Sequence, residues 1–340
     1  MKKIIYILCL TITIIFSFSA CENDIDLNDK NQSDVLIMNA IIYADSTTNY
    51  LTLKLTGETE TKKITGAKIE ISVNGELKET ITSYTSIYTI HTHFQPGNKV
   101  RIDATTADGH YHVYTEETIP YPIQAIGNID TATVINNSQK EKTLQYKISF
   151  KDRPNENNYY RLLLQYNYAL MLYNAATGTK TYNNYNDSRT KDYNCSTDVI
   201  MMDGHINGNA DMSDYMPSLY DVDNKHKVFY DKRFANKSCT LTIYDTPSSP
   251  RSSNYDSSSS NNSITYTYSI DACFTIECIT KNEYYYLKAL NQYEDDNFFD
   301  DEDITGPMKF PSNVKGGAGF VGFCTSTSKI IRLDAGTFSE

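Results

Sequence analysis

The stretch Ala67-Lys68-Ile69-Glu70-Ile71-Ser72-Val73-Asn74-Gly75 is followed at once by the β-prone run from Leu77 to Thr82. Its apolar and polar residues alternate with period two, which puts one set on each face of a strand. Asn-Gly then supplies two residues that tolerate positive φ, so the chain turns back on itself as a hairpin. The same reading extends both ways. Period-two or β-branched runs cover 35–42, 50–56, 67–74, 77–82, 86–94, 99–106 and 110–118. Pro96-Gly97-Asn98 and Asp108-Gly109 punctuate them as turns. Seven short strands within about ninety residues predict an immunoglobulin-like β-sandwich over 33–120. Ile119-Pro120-Tyr121-Pro122 breaks the pattern and predicts a boundary there.

Beyond the break, 121–340 reads as a larger β-rich domain with one helix, so the fold class is mainly β. Strands are predicted at 144–151, 158–173, 228–230, 239–245 and 264–279. Residues 174–194 and 203–224 are rich in Asn, Asp, Gly and Tyr and read as loops, as does the Ser/Asn run 246–263. Thr280-Lys281-Asn282-Glu283 fits a capping box. Tyr286, Ala289, Leu290 and Tyr293 then recur at helical spacing, predicting a helix that ends near Asp295.

The net charge is −11, from 31 basic and 42 acidic residues. Such a balance argues against nucleic-acid binding and against docking on anionic lipid. With 28 Tyr, 13 Phe and no Trp, the aromatic supply suits half-buried strands and wet binding surfaces. After Cys9 and Cys21, five cysteines remain: Cys195, Cys239, Cys273, Cys278 and Cys324. An odd number leaves at least one unpaired within the chain. Strand parity places Cys239 with Leu241 and Ile243, and Cys278 with Phe274 and Ile276, as small buried hydrophobes.

The N-terminus carries a different message. Lys2 and Lys3 precede an apolar run from Ile4 to Phe18, which ends in Ser19-Ala20-Cys21. This is a signal peptide over 1–20, too short to span a bilayer with margin. The small pair before Cys21 resembles the bacterial lipobox. That resemblance implies cleavage before Cys21 and acylation of its sulfur, with two or more chains needed for stable anchoring. Residues 21–32 are polar and acidic and read as a flexible tether. The cluster Glu22-Asn23-Asp24-Ile25-Asp26 also resembles the surface-export signal of Bacteroidota lipoproteins.

Further stretches belong together. Ser149-Phe150-Lys151-Asp152-Arg153-Pro154 leads to Asn157-Asn158-Tyr159-Tyr160-Arg161-Leu162. Phe229-Tyr230-Asp231-Lys232-Arg233-Phe234 follows, and then Glu283-Tyr284-Tyr285-Tyr286-Leu287. Last comes Ser312-Asn313-Val314-Lys315-Gly316-Gly317-Ala318-Gly319-Phe320-Val321-Gly322. Behind a lipobox, this set resembles the Bacteroidota lipoproteins grouped as domain of unknown function 4249, over roughly 33–333. The resemblance implies an outer-membrane lipoprotein, at the cell surface or in the periplasm, encoded near TonB-dependent receptors. It implies no reaction.

Candidate sites are few. His91-Thr92-His93 and His110-Tyr111-His112 each put two histidines on one strand face. In a meander of the strands 86–94, 99–106 and 110–118 the pairs would stand about two strand spacings apart, roughly 9.6 Å. They read as solvated histidines. The acidic run after the helix offers Asp300, Asp301 and Asp303 to calcium, without the alternation, glycine and closing Glu of an EF-hand. A hydrated loop is the competing reading. Tyr182, Tyr185 and Tyr193 lie in a polar loop and are candidates for stacking on a ligand. Gly316-Gly317-Ala318-Gly319 lacks the context of a phosphate cradle and reads as a tight turn. No catalytic motif and no cofactor fingerprint is present. Three functions follow: a non-catalytic accessory of a TonB-dependent transporter, a surface adhesin or assembly subunit, and a hydrolase that the sequence does not advertise.

Overall fold

The computed structural model describes residues 34–57, 61–136, 141–174, 177–187, 190–204, 223–247, 264–294 and 310–333. Among them the N-terminal strands are β1 (Leu36–Tyr43), β2 (Asn49–Leu55), β3 (Lys62–Lys63), β4 (Lys68–Val73), β5 (Glu76–Thr82), β6 (Ile87–Ile90), β7 (Lys99–Thr105) and β8 (His112–Thr118). Next come β9 (Ile126–Asn136), β10 (Glu141–Lys151), β11 (Tyr159–Asn174), β12 (Thr179–Asp187), β13 (Val228–Tyr230), β14 (Ser238–Asp245) and β15 (Ile264–Ile279). Helix α1 (Lys281–Tyr293) and β16 (Val321–Leu333) complete the series. The molecule is mainly β, with several antiparallel sheets and one described α-helix. Each of the seven N-terminal runs contains a strand, whereas β3, β9, β12 and β16 had no counterpart in the sequence reading.

One long sheet carries the order β12-β11-β15-β16-β1-β2-β3, with β13 on β11 and β6 on β2. The two halves on either side of residue 120 therefore share it. β16, from the C-terminal end of the described chain, lies between β15 and β1, antiparallel to the first and parallel to the second. The predicted meander of 86–94 with 99–106 is corrected. β6 joins the long sheet, while β7 pairs with β4 and β8 in a separate four-stranded one.

Register decides which faces are covered. Leu36, Met38, Leu51 and Leu53 pack with Ile69, Ile71, Val100 and Ile102 of the four-stranded sheet β5-β4-β7-β8. Farther along, Leu162, Leu164, Phe274 and Ile276 pack with Tyr146, Ile148, Leu241 and Ile243 of the sheet β14-β10-β9. Cys278 lies opposite Thr325, and Ile42 opposite Phe323, so both small sheets cover the same face. The other face carries α1, seated on Ile279, Cys324 and Val228 through Tyr284 and Leu287. Both faces of β16 are thus occupied. Val321 and Phe323 look one way, Cys324 the other.

The glycine run just before β16 makes this insertion possible. Met38 N–H donates to Ala318 O at 2.9 Å, Ala318 N–H to Leu36 O at 2.9 Å, and Ala40 N–H to Phe320 O at 3.0 Å. On the other side, Tyr114 and Lys315 exchange both backbone hydrogen bonds. A Cβ at Gly317 would stand 2.2 Å from Leu36 O, and one at Gly319 would stand 2.2 Å from Met38 O. Gly319 also has φ +104°, a region that only glycine enters freely. The run is the tight, closely packed turn that the sequence predicts. Asn313 finishes it: its side-chain amide donates to Val321 O at 2.7 Å and accepts from Val321 N–H at 2.9 Å.

Replacing Gly319 with Ala should combine a backbone clash with a strained φ and cost about 2–3 kcal/mol. Gly109→Ala, whose Cβ would meet nothing within 4 Å at φ +69°, should cost only about 1 kcal/mol. Urea midpoints of the two variants measure the difference, and equal midpoints would remove the close-approach account.

Candidate functional site

The motif stretches converge at the end of the long sheet where β11, β13, β15 and α1 meet. Two clusters result. The first ties the turn after β10 to the turn after β13. Asp152 is buried; its Oδ1 accepts from Tyr160 Oη at 2.5 Å and from Asn158 Nδ2 at 3.2 Å, and its Oδ2 accepts from Asn236 N–H at 2.7 Å. Asp231, also buried, accepts from Asn158 N–H at 2.8 Å and from Asn158 Nδ2 at 3.2 Å. Burial pushes the Asp231 carboxyl above the usual range, against the two Asn158 donors, and the neighbouring Asp152 charge adds to the rise. Around them Phe150, Tyr160, Phe229 and Phe234 pack with ring centroids 5.4–6.4 Å apart. Every oxygen of Asp152 is engaged by the protein. Chemically, this cluster is a clamp on two loops.

The second cluster lies beneath α1. Register sets two rows across the sheet: Tyr43, Cys324, Ile279, Tyr159 and Tyr230 in one, and Ser326, Glu277, Arg161 and Val228 in the next. Tyr159 stacks on Tyr230, and Tyr284 packs tilted against both, with centroids 5.3–6.0 Å apart. Arg161 Nη1 stands 3.8 Å from Glu277 Oε2, and Arg161 Nε donates to His226 O at 3.1 Å. Glu277 is buried, which raises its pKa against the opposing pull of Arg161. Glu283, from the first turn of α1, is only 1% exposed. Thr280 Oγ1 accepts from Glu283 N–H at 3.3 Å, which is one half of the predicted capping box. The carboxyl, instead of returning to Thr280, is turned onto the sheet. There it takes a backbone hydrogen bond from Phe323 and leaves Oε2 buried without a partner.

At the far end of α1, His226 N–H donates to Asn291 Oδ1 at 2.7 Å, and Asn291 Nδ2 donates to Asn224 Oδ1 at 3.2 Å. Asn224 in turn donates to Met201 O and Val228 O. Burial lowers the His226 pKa, and Glu294, 3.3 Å from Nε2, opposes that shift.

Cys21, Asp300, Asp301 and Asp303 lie outside the described residues. Tyr182 and Tyr185 belong to β12, opposite Met171 and Tyr168, so the loop predicted over 174–194 is in good part a strand. Tyr193 is in the core at 1% exposure, and its hydroxyl donates to Leu162 O at 2.8 Å. It packs rather than faces solvent. His91 and His93 follow β6, whereas His112 opens β8 with Nε2 3.0 Å from Asp103 Oδ1. Among the described residues no group of three or more His, Cys, Asp or Glu side chains gathers as a metal site. All five described cysteines are free thiols. Cys239 and Cys278 are buried in the core, and burial pushes the Cys278 thiol up to about 12. No helix among the described residues is long and apolar enough to cross a membrane.

The buried carboxyls were the part that sequence reading missed. The parity that put Cys278 on the core face also put Glu277 on the opposite one, which was the available signal. A family model described as a domain of unknown function (DUF4249) matches residues 22–330. No curated protein matches the chain.

Asp152→Ala should leave Asn158, Asn236 and the Tyr160 hydroxyl short of their acceptor and cost about 3 kcal/mol or more. Asp130→Ala, at an exposed position on β9, should stay within about 0.5 kcal/mol. Chemical unfolding of the pair measures this, and an Asp152 variant as stable as the Asp130 one would break the clamp reading.

Proposed function

The chain belongs to the family described as domain of unknown function 4249, and from that premise we propose that it is a lipid-anchored, non-catalytic binding protein of the outer membrane, exposed at the cell surface. In this reading it serves as an accessory to a TonB-dependent transport system, with the receptor, its cargo or both as partner. The anchor is Cys21, behind a signal peptide and ahead of a polar tether. In the same reading residues 33–120 make up an immunoglobulin-like sandwich.

One observation carries the non-catalytic reading. Asp152, Asn158, Asp231 and Asn313 of the motif stretches turn inward and are bonded to the protein's own backbone and side chains. Groups held this way fix loops and strands; a catalytic acid or nucleophile needs a face open to substrate. What remains for contact with a partner is the rigid β scaffold and the loops that it positions. A stable interface would bury on the order of 1,600 Å² in total.

Replacing Cys21 with Ser should move the protein from the membrane fraction to the soluble fraction. Continued detergent-dependent fractionation of the variant would overturn the anchor. Crosslinking in native membranes, followed by affinity capture of the tagged chain, should recover an outer-membrane receptor. Recovery of the lipoprotein alone over several growth conditions would remove the accessory reading and bring adhesion or assembly forward.

A further inference from the structure

Beneath the first turn of α1 the charges do not balance. Glu283 comes down from the helix and Glu277 up from β15, both buried, and the cation beside them is Arg161 of β11. Arg161 Nη1 is 3.8 Å from Glu277, beyond hydrogen-bonding range, and its Nε is already given to His226 O. Other titratable groups face the same space. Tyr43 comes from β1, Asp45 from the turn after it, and Cys324 from β16; Glu117 reaches in from β8. Tyr159, Tyr230 and Tyr284 close the side toward β11 and β13. None adds a positive charge. Asp45 is engaged by Ser326, whose hydroxyl donates to it at 2.5 Å, and Glu117 accepts from Asn282 and from Asn313.

The room for Glu283 is provided by a glycine. Its Oε2 lies where a Cβ on Gly322 would come within 2.7 Å, and the neighbouring Phe323 N–H supplies its one backbone hydrogen bond. Oε2 itself has no partner among the described residues. Leaving an ionised oxygen buried and unpaired beside a second carboxyl is far costlier than adding a proton.

We propose that Glu283 is held as an uncharged carboxylic acid, so that the seating of α1 on the long sheet is a proton-dependent contact that loosens as Glu283 ionises. Burial first, then the charge of Glu277, pushes the Glu283 carboxyl up to about 8. The sign follows by linkage. A carboxyl that binds its proton more tightly in the folded state contributes stability that is full below the ordinary glutamate range. That contribution is lost as the pH climbs to about 8. This is the reverse of an ion-paired acid, whose contribution disappears as the pH falls.

The test is a carboxyl-carbon NMR titration of the full chain labelled at glutamate, with urea midpoints taken from pH 5 to pH 9. One glutamate should titrate near pH 8, about three to four units above the ordinary glutamate value of roughly 4.3. The urea midpoint of the wild type should fall as the pH rises through that window, while that of Glu283→Gln should fall distinctly less. Amide exchange in 281–293, corrected for its intrinsic pH dependence, should quicken at least tenfold above pH 8 in the wild type alone. Glu277→Gln, which keeps Glu283 and removes its charged neighbour, should bring the high titration down. The idea is overturned if no glutamate titrates near pH 8, if that titration persists in Glu283→Gln, or if Glu283→Gln follows the wild-type urea curve. Should either variant fail to fold, the wild-type titration decides by itself.

Discussion

Two backbones, those of β1 and of the segment entering β16, lie against each other with no side chain between them. Their contact spans almost the whole described sequence, since Leu36 and Met38 bond to Ala318. Closing a loop of that length has an entropic cost that grows only slowly with length, so separation in sequence is no obstacle once good pairing is available. The obstacle is steric. Gly317 and Gly319 approach Leu36 O and Met38 O so closely that any Cβ would collide. Glycine at these positions lets β16 enter, and β16 then joins the strands packed under β5-β4-β7-β8 to those packed under β14-β10-β9. Without it the long sheet would be two sheets, each with an unpaired edge.

This dependence explains which elements the sequence revealed. Strands with one buried face, such as β4 and β7, alternate cleanly, and the periodicity that predicts them is a direct image of their burial. β16 is buried on both sides over Val321–Thr325 and carries Thr325, Ser326, Thr327 and Ser328 in its middle, so no period-two signal survives. β12 is built from Thr, Lys, Asn and Tyr, residues that read as loop, and it is a strand because β11 offers it a long edge. Helix α1 was legible from Thr280 and its spacing. The orientation of Glu283 was not, because a capping-box signature fixes the spacing of two groups and says nothing of a sheet waiting beneath them.

The motif residues divide along the same line. Sequence marked the stretches around Asp152, Asn158, Asp231 and Ser312-Asn313 as belonging together, and the folded chain brings the first three into one hydrogen-bonded cluster. Within that cluster both carboxyl oxygens of Asp152, and Oδ2 of Asp231, accept from donors within the chain. Tyr193 makes the opposite point. Its surroundings in sequence are polar, yet its hydroxyl is matched by Leu162 O and its ring lies in the core. Tyrosine is amphipathic, so local composition cannot decide between a wet surface and a satisfied interior.

Satisfied and unsatisfied polar groups therefore play different parts here. Asp152 and Asn313 hold two loops in place with every bond closed, and such networks rigidify what they join. Glu283 sits in a helix–sheet contact with Glu277 and Arg161 beside it and Ile279, Tyr284, Leu287 and Cys324 around it, and an apolar residue of similar length would leave no orphaned oxygen there. A buried carboxyl with one open acceptor adds little to packing. What it does add is a term that changes with the proton concentration outside the molecule. The clamps rest on closed hydrogen bonds, whereas the seat of the first turn of α1, in the proposal made above, rests on a proton.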